Sequence, residues 1–551
     1  MKTRINLICG VLLFALVNCT SCSDDCDYFP LDGNDADITG WTMSAGNGIE
    51  YSGIISGNTI TVCIPEEVDP NSLKVEYTLS EGATIYPNPE SISDWDTENT
   101  FNVTSVNTDN EKEWVVRIRR SDEGEFLTPV QISSQKALEE FAALGYRKLN
   151  SLTIADGTEP VTDLSPLNGI EEVSSSLTIR NVTAPTVEMT GLQIVGNLNV
   201  NSYLTLEKVS FPALRRSLGS IYIGDVSNSG SVPQIHNELK AVEFPALTYV
   251  AGSFTVYWCQ NVETVNTYKL SHVGKDYVID TGMLADWSML KSLRKIPGNL
   301  RLFVGSIKSM EGFGITSIGE SFFFSAGETA SLRPLECLKS VESLSINGGD
   351  NITSLDGISH LDPLSVTINA LPKLTSLQGI PLGGHTAYVG ITRMPALESL
   401  NGIEKLKKTE TIQISGCPLI RDITPISGIS SVNSLIITSS GVETIPEFPN
   451  LKEVPGTLEI YNNDQLTSLS GFSHITSLGK LTVSDCALLT TLDGLQNVSK
   501  CDGAIQIVAN PELASYKAVR DLLIANWTNV TIRRNKYNPT LEQLQNGETE
   551  M

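Results

Sequence analysis

The sequence predicts a mainly β chain in which an N-terminal β-sandwich precedes a long right-handed parallel β-solenoid closed by helical caps. Three observations carry this reading. Short β-rich runs alternate with turn residues from Ile38 to Arg119, an apolar core spacing recurs seventeen times between Leu152 and Val530, and helix signals flank that repeat at both ends. With 551 residues, 40% hydrophobic and 18% charged, the chain has the composition of a folded protein with room for more than one core.

The first residues read as a secretory signal over 1–21. Lys2 and Arg4 make a positive start, and Ile5 to Val17 is an apolar stretch too short to span a bilayer as a helix. Cys22 stands behind the small residues Thr20 and Ser21, an arrangement that resembles a bacterial lipobox cleaved just before its cysteine. Cys19, behind Asn18, is the alternative lipidation site, and a plain secretory peptide cut elsewhere is the alternative to both. The acidic run Ser23-Asp24-Asp25 looks like the surface-export signal of Bacteroidetes lipoproteins. That resemblance implies a surface-exposed outer-membrane lipoprotein, which touches the membrane through its lipid only. Two or three acyl chains on the cysteine would hold it durably, as one alone does not. Residues 22–36, with Asp24, Asp25, Asp27, Asp32 and Asp35, read as an acidic tether that cannot form a core.

Residues 37–121 carry the short strands of a sandwich, clearest at Thr59 to Ile64, Leu73 to Leu79, Ala83 to Tyr86 and Trp114 to Arg119. With TITVCIP at Thr59 to Pro65 and WVVRIRR at Trp114 to Arg120, this segment resembles the Ig-like modules that follow the lipid anchor in Bacteroidetes surface proteins. The resemblance implies a spacer, with a ligand site of its own as the alternative.

From residue 130 to 547 the repeat takes over. Val130 to Ile132 reads as a strand, and Ser134 as the cap of a helix that gives an N-cap over 134–145, stopped at Gly145. The first apolar residue of an LxI-like core then recurs at Leu152, Leu177, Leu198, Ile221, Phe254, Tyr277, Leu300, Phe322, Leu344, Val366, Val389, Ile412, Leu435, Leu458, Leu481, Ile505 and Val530. From Tyr277 the step is 22 to 25 residues, and the 33-residue step from Ile221 to Phe254 must hold an insertion. Variable coil lengths between Ser151 and Ser271 leave the register there open.

A second apolar pair follows six and nine residues after the second core residue, as Leu466 and Leu469 follow Ile460. Asn or Cys stands three residues after it at Asn463, Asn510, Cys259, Cys417 and Cys486. Alternation puts the LxI pair inside a short strand, the later pair fills the far side of the coil, and the Asn or Cys can satisfy turning backbone. Seventeen coils at ~4.8 Å per rung make a stack on the order of 80 Å. Leu458 to Leu481, LEIYNNDQLTSLSGFSHITSLGKL, and the MPALESL after Val389 resemble the leucine-rich receptor L-domain family. The ending, with Asn510-Pro511-Glu512-Leu513, a helix at Ala518 to Ile524 and NKYNPTLEQLQNG from Asn535, is similar to the capping segment (511–547) of its bacterial members.

Charge and side-chain chemistry narrow the function. A net charge of −25, from 38 basic against 63 acidic residues, repels phosphate backbones, so nucleic acid is excluded as a partner. His236, His272, His360, His385 and His474 lie far apart with no metal-ligand spacing, and the paired glycines at Gly348 and Gly383 lack a phosphate-loop frame. No catalytic group, metal or cofactor is therefore expected. The seven cysteines left after Cys22 have no CxxC pairs, and those at the coil corners read as buried structural thiols.

Outward positions of the strands are mostly Ser, Thr and Asn. Tyr222, Tyr257, Val278, Arg301, Phe303 and Phe323 break that rule on consecutive rungs. Aromatics with an arginine make binding hot spots and suit the apolar faces of sugars. Tyr222, Tyr257, Arg301, Phe303 and Phe323 are therefore the candidate ligand-binding residues; the alternatives are that aromatics simply favour strands, or that the insertion covers them. The expected function is non-catalytic binding of a host protein or a glycan, in adhesion or capture. A glycan-binding accessory of nutrient uptake and a ligand-free structural stalk are the other readings.

Overall fold

A computed structural model describes residues 35–45, 49–106, 108, 110–120, 125–157, 159–201, 205–224, 238–305 and 307–551. Cys19 and Cys22, and most of the tether, lie outside them. The chain divides into two compact units, one ending at Arg119 and the other formed by Ser44–Tyr51, Cys63–Val68 and Arg120–Met551.

In the first unit a five-stranded sheet runs in the order Ile54–Ser56, Thr59–Ile64, Glu111–Arg120, Asn99–Thr104, Thr84–Tyr86. A second layer pairs Ile38–Ser44 with Lys74–Leu79. Trp41 from that layer meets Phe101 of the larger sheet at 5.5 Å between ring centroids, with Trp95 edge-on at 5.9 Å. This aromatic cluster, almost wholly buried, is the core that the alternating β runs were expected to make.

The second unit is the solenoid. Its main sheet pairs the core residues in the register read from the sequence. Leu152 lies against Leu177, Leu177 against Leu198, Leu198 against Ile221 and Ile221 against Phe254. The series continues through Tyr277, Leu300 and Phe322 to Leu481, Ile505 and Val530, all parallel. The segment whose register was open thus follows the same pairing, and the 33-residue step leaves the ladder uninterrupted because Ile221 still pairs with Phe254. The variation in coil length falls elsewhere on the coil. Four coils there form a small side sheet of Thr186–Glu188, Lys208–Ser210, Ala241–Glu243 and Thr264–Asn266, whereas later ones turn through short 3-10 segments or single bridges.

The ladder starts earlier than expected. Glu125–Ile132 is its first strand, pairing Val130 with Leu152, and Ile49 to Tyr51 add antiparallel to its other side. Ser44–Tyr51 and Cys63–Val68, placed in the sandwich by the sequence reading, group with the solenoid instead. The physical reason is the open edge of a parallel sheet, whose unpaired N–H and C=O groups need cover. Tyr51 packs on Phe126 at 6.0 Å, Thr128 donates to the Cys63 carbonyl at 2.7 Å and Arg120 to that of Pro65 at 3.0 Å.

Many coils turn at a residue of positive φ two places after the second core residue, whereas Asp156, Thr281, Val304 and Ala326 at that place do not. Asn181, Trp258, Ala370, Arg393, Ser439, Asn462, Asp485, Ala509 and Arg534 stand there with φ between 50 and 59°. A non-glycine residue in this region costs roughly 1–2 kcal/mol, so something must offset it. The next residue does so where it is Asn. The buried Asn463 accepts from the Ser440 N–H at 3.1 Å and donates to the Ile437 carbonyl at 2.8 Å, and Asn510 does the same between Cys486 and Val483 at 3.0 Å each. Asn535 extends the series. Cysteine at this place is a smaller substitute: Cys259, Cys417 and Cys486 are buried, unbridged and directed at the carbonyls of Tyr257, Ser415 and Ser484.

At the ends, Ser134 caps the helix Gln135–Ala143 through the Ala137 N–H, and Gly145 follows at φ +74°. The C-terminal helix is Arg520–Ala525, preceded by a 3-10 turn, and a final helix Leu541–Gln545 begins with a capping box of Thr540 and Gln543.

Candidate functional site

The outward face of the main sheet carries two columns of side chains. One lies between the core residues and runs Tyr222, Thr255, Val278, Arg301, Phe323, Ser345 from rung to rung. The other lies just after them, where Gly224 is level with Tyr257 and Asp280 with Phe303. The burial pattern of Leu300–Val304 and Ser321–Ser325 alternates strictly, so that Phe322 and Phe324 are inside with no exposure while Phe303 and Phe323 stand half-buried outside. Alternation, with period two, leaves no other choice once the core residues face in.

The structure brings Phe303 and Phe323 together at 4.5 Å between centroids, tilted by 33°. Arg301, level with Phe323, is exposed beside them. Tyr222 and Tyr257 lie on neighbouring rungs further along, both half-buried. Tyr257 packs edge-on against Trp258 at 5.9 Å, and the buried indole N–H of Trp258 has no partner among the described residues. Gly224 permits this arrangement, since a Cβ there would lie 2.0 Å from the Tyr257 carbonyl oxygen. The insertion that was an alternative cover for the patch, with His236, falls outside the described residues.

Asp280 was missed by the sequence reading. It occupies the outward column one rung from Tyr257 and level with Phe303, where the rule that found those two aromatics places it as well. Burial among these neighbours pushes its carboxyl above the ordinary carboxylate value, although the backbone N–H of Trp258 donates to it and pulls the other way. Asp276, just before the strand, is the opposite case. Burial opposes its charge, but donors from the Asn299 N–H, the Asn299 amide and Ser253 outweigh it and hold the carboxyl low.

A second place on the same face also escaped notice. Glu459, Tyr461, Lys480, Thr482, Gln506, Thr531 and their neighbours line a depression of about 520 Å³ on the last rungs. The signal was available, because Tyr461 is to Ile460 what Phe303 is to Leu302; only its isolation between Thr438 and Ser484 of the neighbouring rungs hid it.

The histidines are dispersed. Tyr249 and His272 stack at 4.6 Å with Arg216 over the Tyr249 ring, His360 meets the Leu338 carbonyl at 2.6 Å, His474 meets Glu447 at 2.8 Å, and His385 is exposed. Among the described residues, no group of three His, Cys, Asp or Glu is placed to hold a metal ion. The corner thiols are held protonated by burial, Cys417 and Cys486 pushed up to about 11 and Cys259 to about 12.

Residues 42–118 match the family model described as SGBP, N-terminal, the first domain of surface glycan-binding proteins of Bacteroidetes type. The chain thus joins a segment similar to that domain, residues 42–118, to a leucine-rich-repeat-like solenoid. Among solved structures, an internalin from Listeria monocytogenes is similar at 13% identity over 69% of this chain and 86% of that one, with a TM-score of 0.30. No curated protein matches the chain.

Proposed function

We propose that this chain is a surface glycan-binding lipoprotein that captures polysaccharide, without turning it over, on the outward sheet face of its solenoid. The SGBP-type domain at residues 42–118 carries this reading, because it sits ahead of a repeat whose outward face bears the Phe303–Phe323 pair beside Arg301. Flat rings take the apolar faces of sugars, while Arg301 and Asp280 supply a donor and an acceptor for hydroxyls. Tyr222 and Tyr257 extend the platform over five rungs, a span of ~19 Å at ~4.8 Å per step. Cys22 carries the lipid that holds the protein at the outer-membrane surface.

A glycan array and a host-protein array probed with the soluble chain from Asp27 test this, run beside Phe303→Ser/Phe323→Ser. The expected result is saturable glycan binding that the double variant loses, with little change in melting temperature. Binding to host protein alone would replace a glycan ligand by a protein one, and silence on both arrays would leave a structural stalk.

A further inference from the structure

The depression on the last rungs differs from the patch around Phe303 in its charge. Its outward columns run Glu459, Thr482, Gln506, Thr531 and Tyr461, Ser484, Val508, Arg533, with Lys480 beside the first. Tyr461 is 43% exposed. Glu459, Lys480 and Arg533 make no ion pair or side-chain hydrogen bond among the described residues, while the hydroxyl of Thr482, a lining residue, is buried without a partner among them. Threonine 482 as a whole is only 7% exposed.

The rungs between the two places behave differently. Asn347 pairs with Asn369, Thr392 and Arg393 donate to Asn369 at 2.8 and 2.9 Å, and Thr438 donates to Ser415 at 2.7 Å. Tyr388 likewise donates to Gln413 at 2.9 Å. The middle of the face thus satisfies itself, and aromatic rings with unused polar groups remain at either end. Seven rungs separate Phe303 from Tyr461 in the pairing series, ~34 Å at ~4.8 Å each.

From this arrangement, and resting on the glycan-capture reading above, we propose that the last rungs hold a second carbohydrate subsite selective for an acidic sugar residue. Its ring lies on Tyr461, its carboxylate or sulfate between Lys480 and Arg533, and its hydroxyls reach Gln506 and Glu459. Two cations against one carboxylate make the depression locally positive in a chain of net charge −25, so a neutral sugar would leave that charge unused. One polysaccharide chain long enough to reach both ends would be held at two points, which raises avidity without any new contact.

Calorimetric titration of the full chain, in detergent, with oligogalacturonate and with the same oligomer after carboxyl reduction tests the proposal. The acidic oligomer is expected to bind more tightly. Lys480→Ala/Arg533→Ala should weaken it roughly ten- to a hundredfold, the loss of a charge-assisted pair, and leave the reduced oligomer's binding as it was. Phe303→Ser/Phe323→Ser should leave the acidic preference intact. Equal binding of the two oligomers, no binding of the acidic one, or acidic binding indifferent to Lys480→Ala/Arg533→Ala overturns the subsite. If Phe303→Ser/Phe323→Ser alone removes every interaction, the subsite falls while the glycan-capture reading stands. If it removes none while the Lys480/Arg533 variant behaves as expected, the reverse holds for the Phe303 patch.

Discussion

Asn463 shows how much a single residue decides. Its amide answers both the Ser440 N–H and the Ile437 carbonyl inside a turn whose preceding residue already sits at φ +54°. Asn463→Ala should cost about 1–3 kcal/mol for each backbone group left unanswered, read as a lower denaturation midpoint with unchanged slope. The corner cysteines make a second case. With the folded thiols of Cys417 and Cys486 raised to about 11 from an ordinary 9.0, burial disfavours the thiolate. Stability is therefore whole below pH 9 and should fall as pH climbs toward 11, and native protein at neutral pH should resist thiol reagents that label it on unfolding. Asp280 is the third. A raised folded value means that its charge at neutral pH opposes folding, so Asp280→Asn should raise the melting temperature at pH 7. That gain should vanish below the ordinary value of 3.8, where the carboxyl is protonated in both states. Glycan affinity should fall in the same variant, which would mark Asp280 as kept for binding at the expense of stability.

At the scale of a strand, three adjacent phenylalanines have two fates. Phe322 and Phe324 join Trp287 and Phe313 in a buried aromatic cluster, with Phe322 on Phe313 at 5.6 Å and Phe324 on Trp287 at 5.5 Å. Phe323 points the other way. Phe322→Ala should cost about 3–5 kcal/mol and Phe323→Ser far less, a contrast that thermal melts of the two variants would display. Both fates were legible from the alternation in SFFFS once Phe322 was placed on the core column. The same rule, applied to every rung, would also have found Asp280 and Tyr461. What it could not supply was their neighbours around the coil, because lateral packing depends on where each coil turns.

Over the whole second unit, stability belongs to the stack, because each coil contacts chiefly its neighbours and terminal coils need covers. Ile49 to Tyr51 and the helix Gln135–Ala143 belong to the first end, while Tyr516, Leu523 and Leu544 are buried at the last. Ending the chain after Asn510 would strip those side chains and Asn535 from the final rung. Such a truncation is expected to aggregate or to unfold at lower denaturant, as size-exclusion chromatography beside a urea titration would reveal.

The solenoid register from Tyr277 onward, the corner Asn and Cys positions and the helix signals at the two ends were legible in the sequence alone, since each rests on local physics: period-two alternation, a core that recurs at a nearly constant step, and turn or cap chemistry within a few residues; the register between Ser151 and Ser271 was fixed only by the strand pairing. The tertiary structure decided what depends on residues far apart in the chain. It drew Ile49 to Tyr51 out of the expected sandwich to cover the first strand's edge, half-buried Asp280 between Tyr257 and Phe303, and left the side chains of Tyr461, Lys480 and Arg533 without a polar partner among the described residues where the middle rungs pair among themselves. Such arrangements follow from which coils stack side by side and which backbone groups remain to be satisfied, and no window of adjacent residues contains that information.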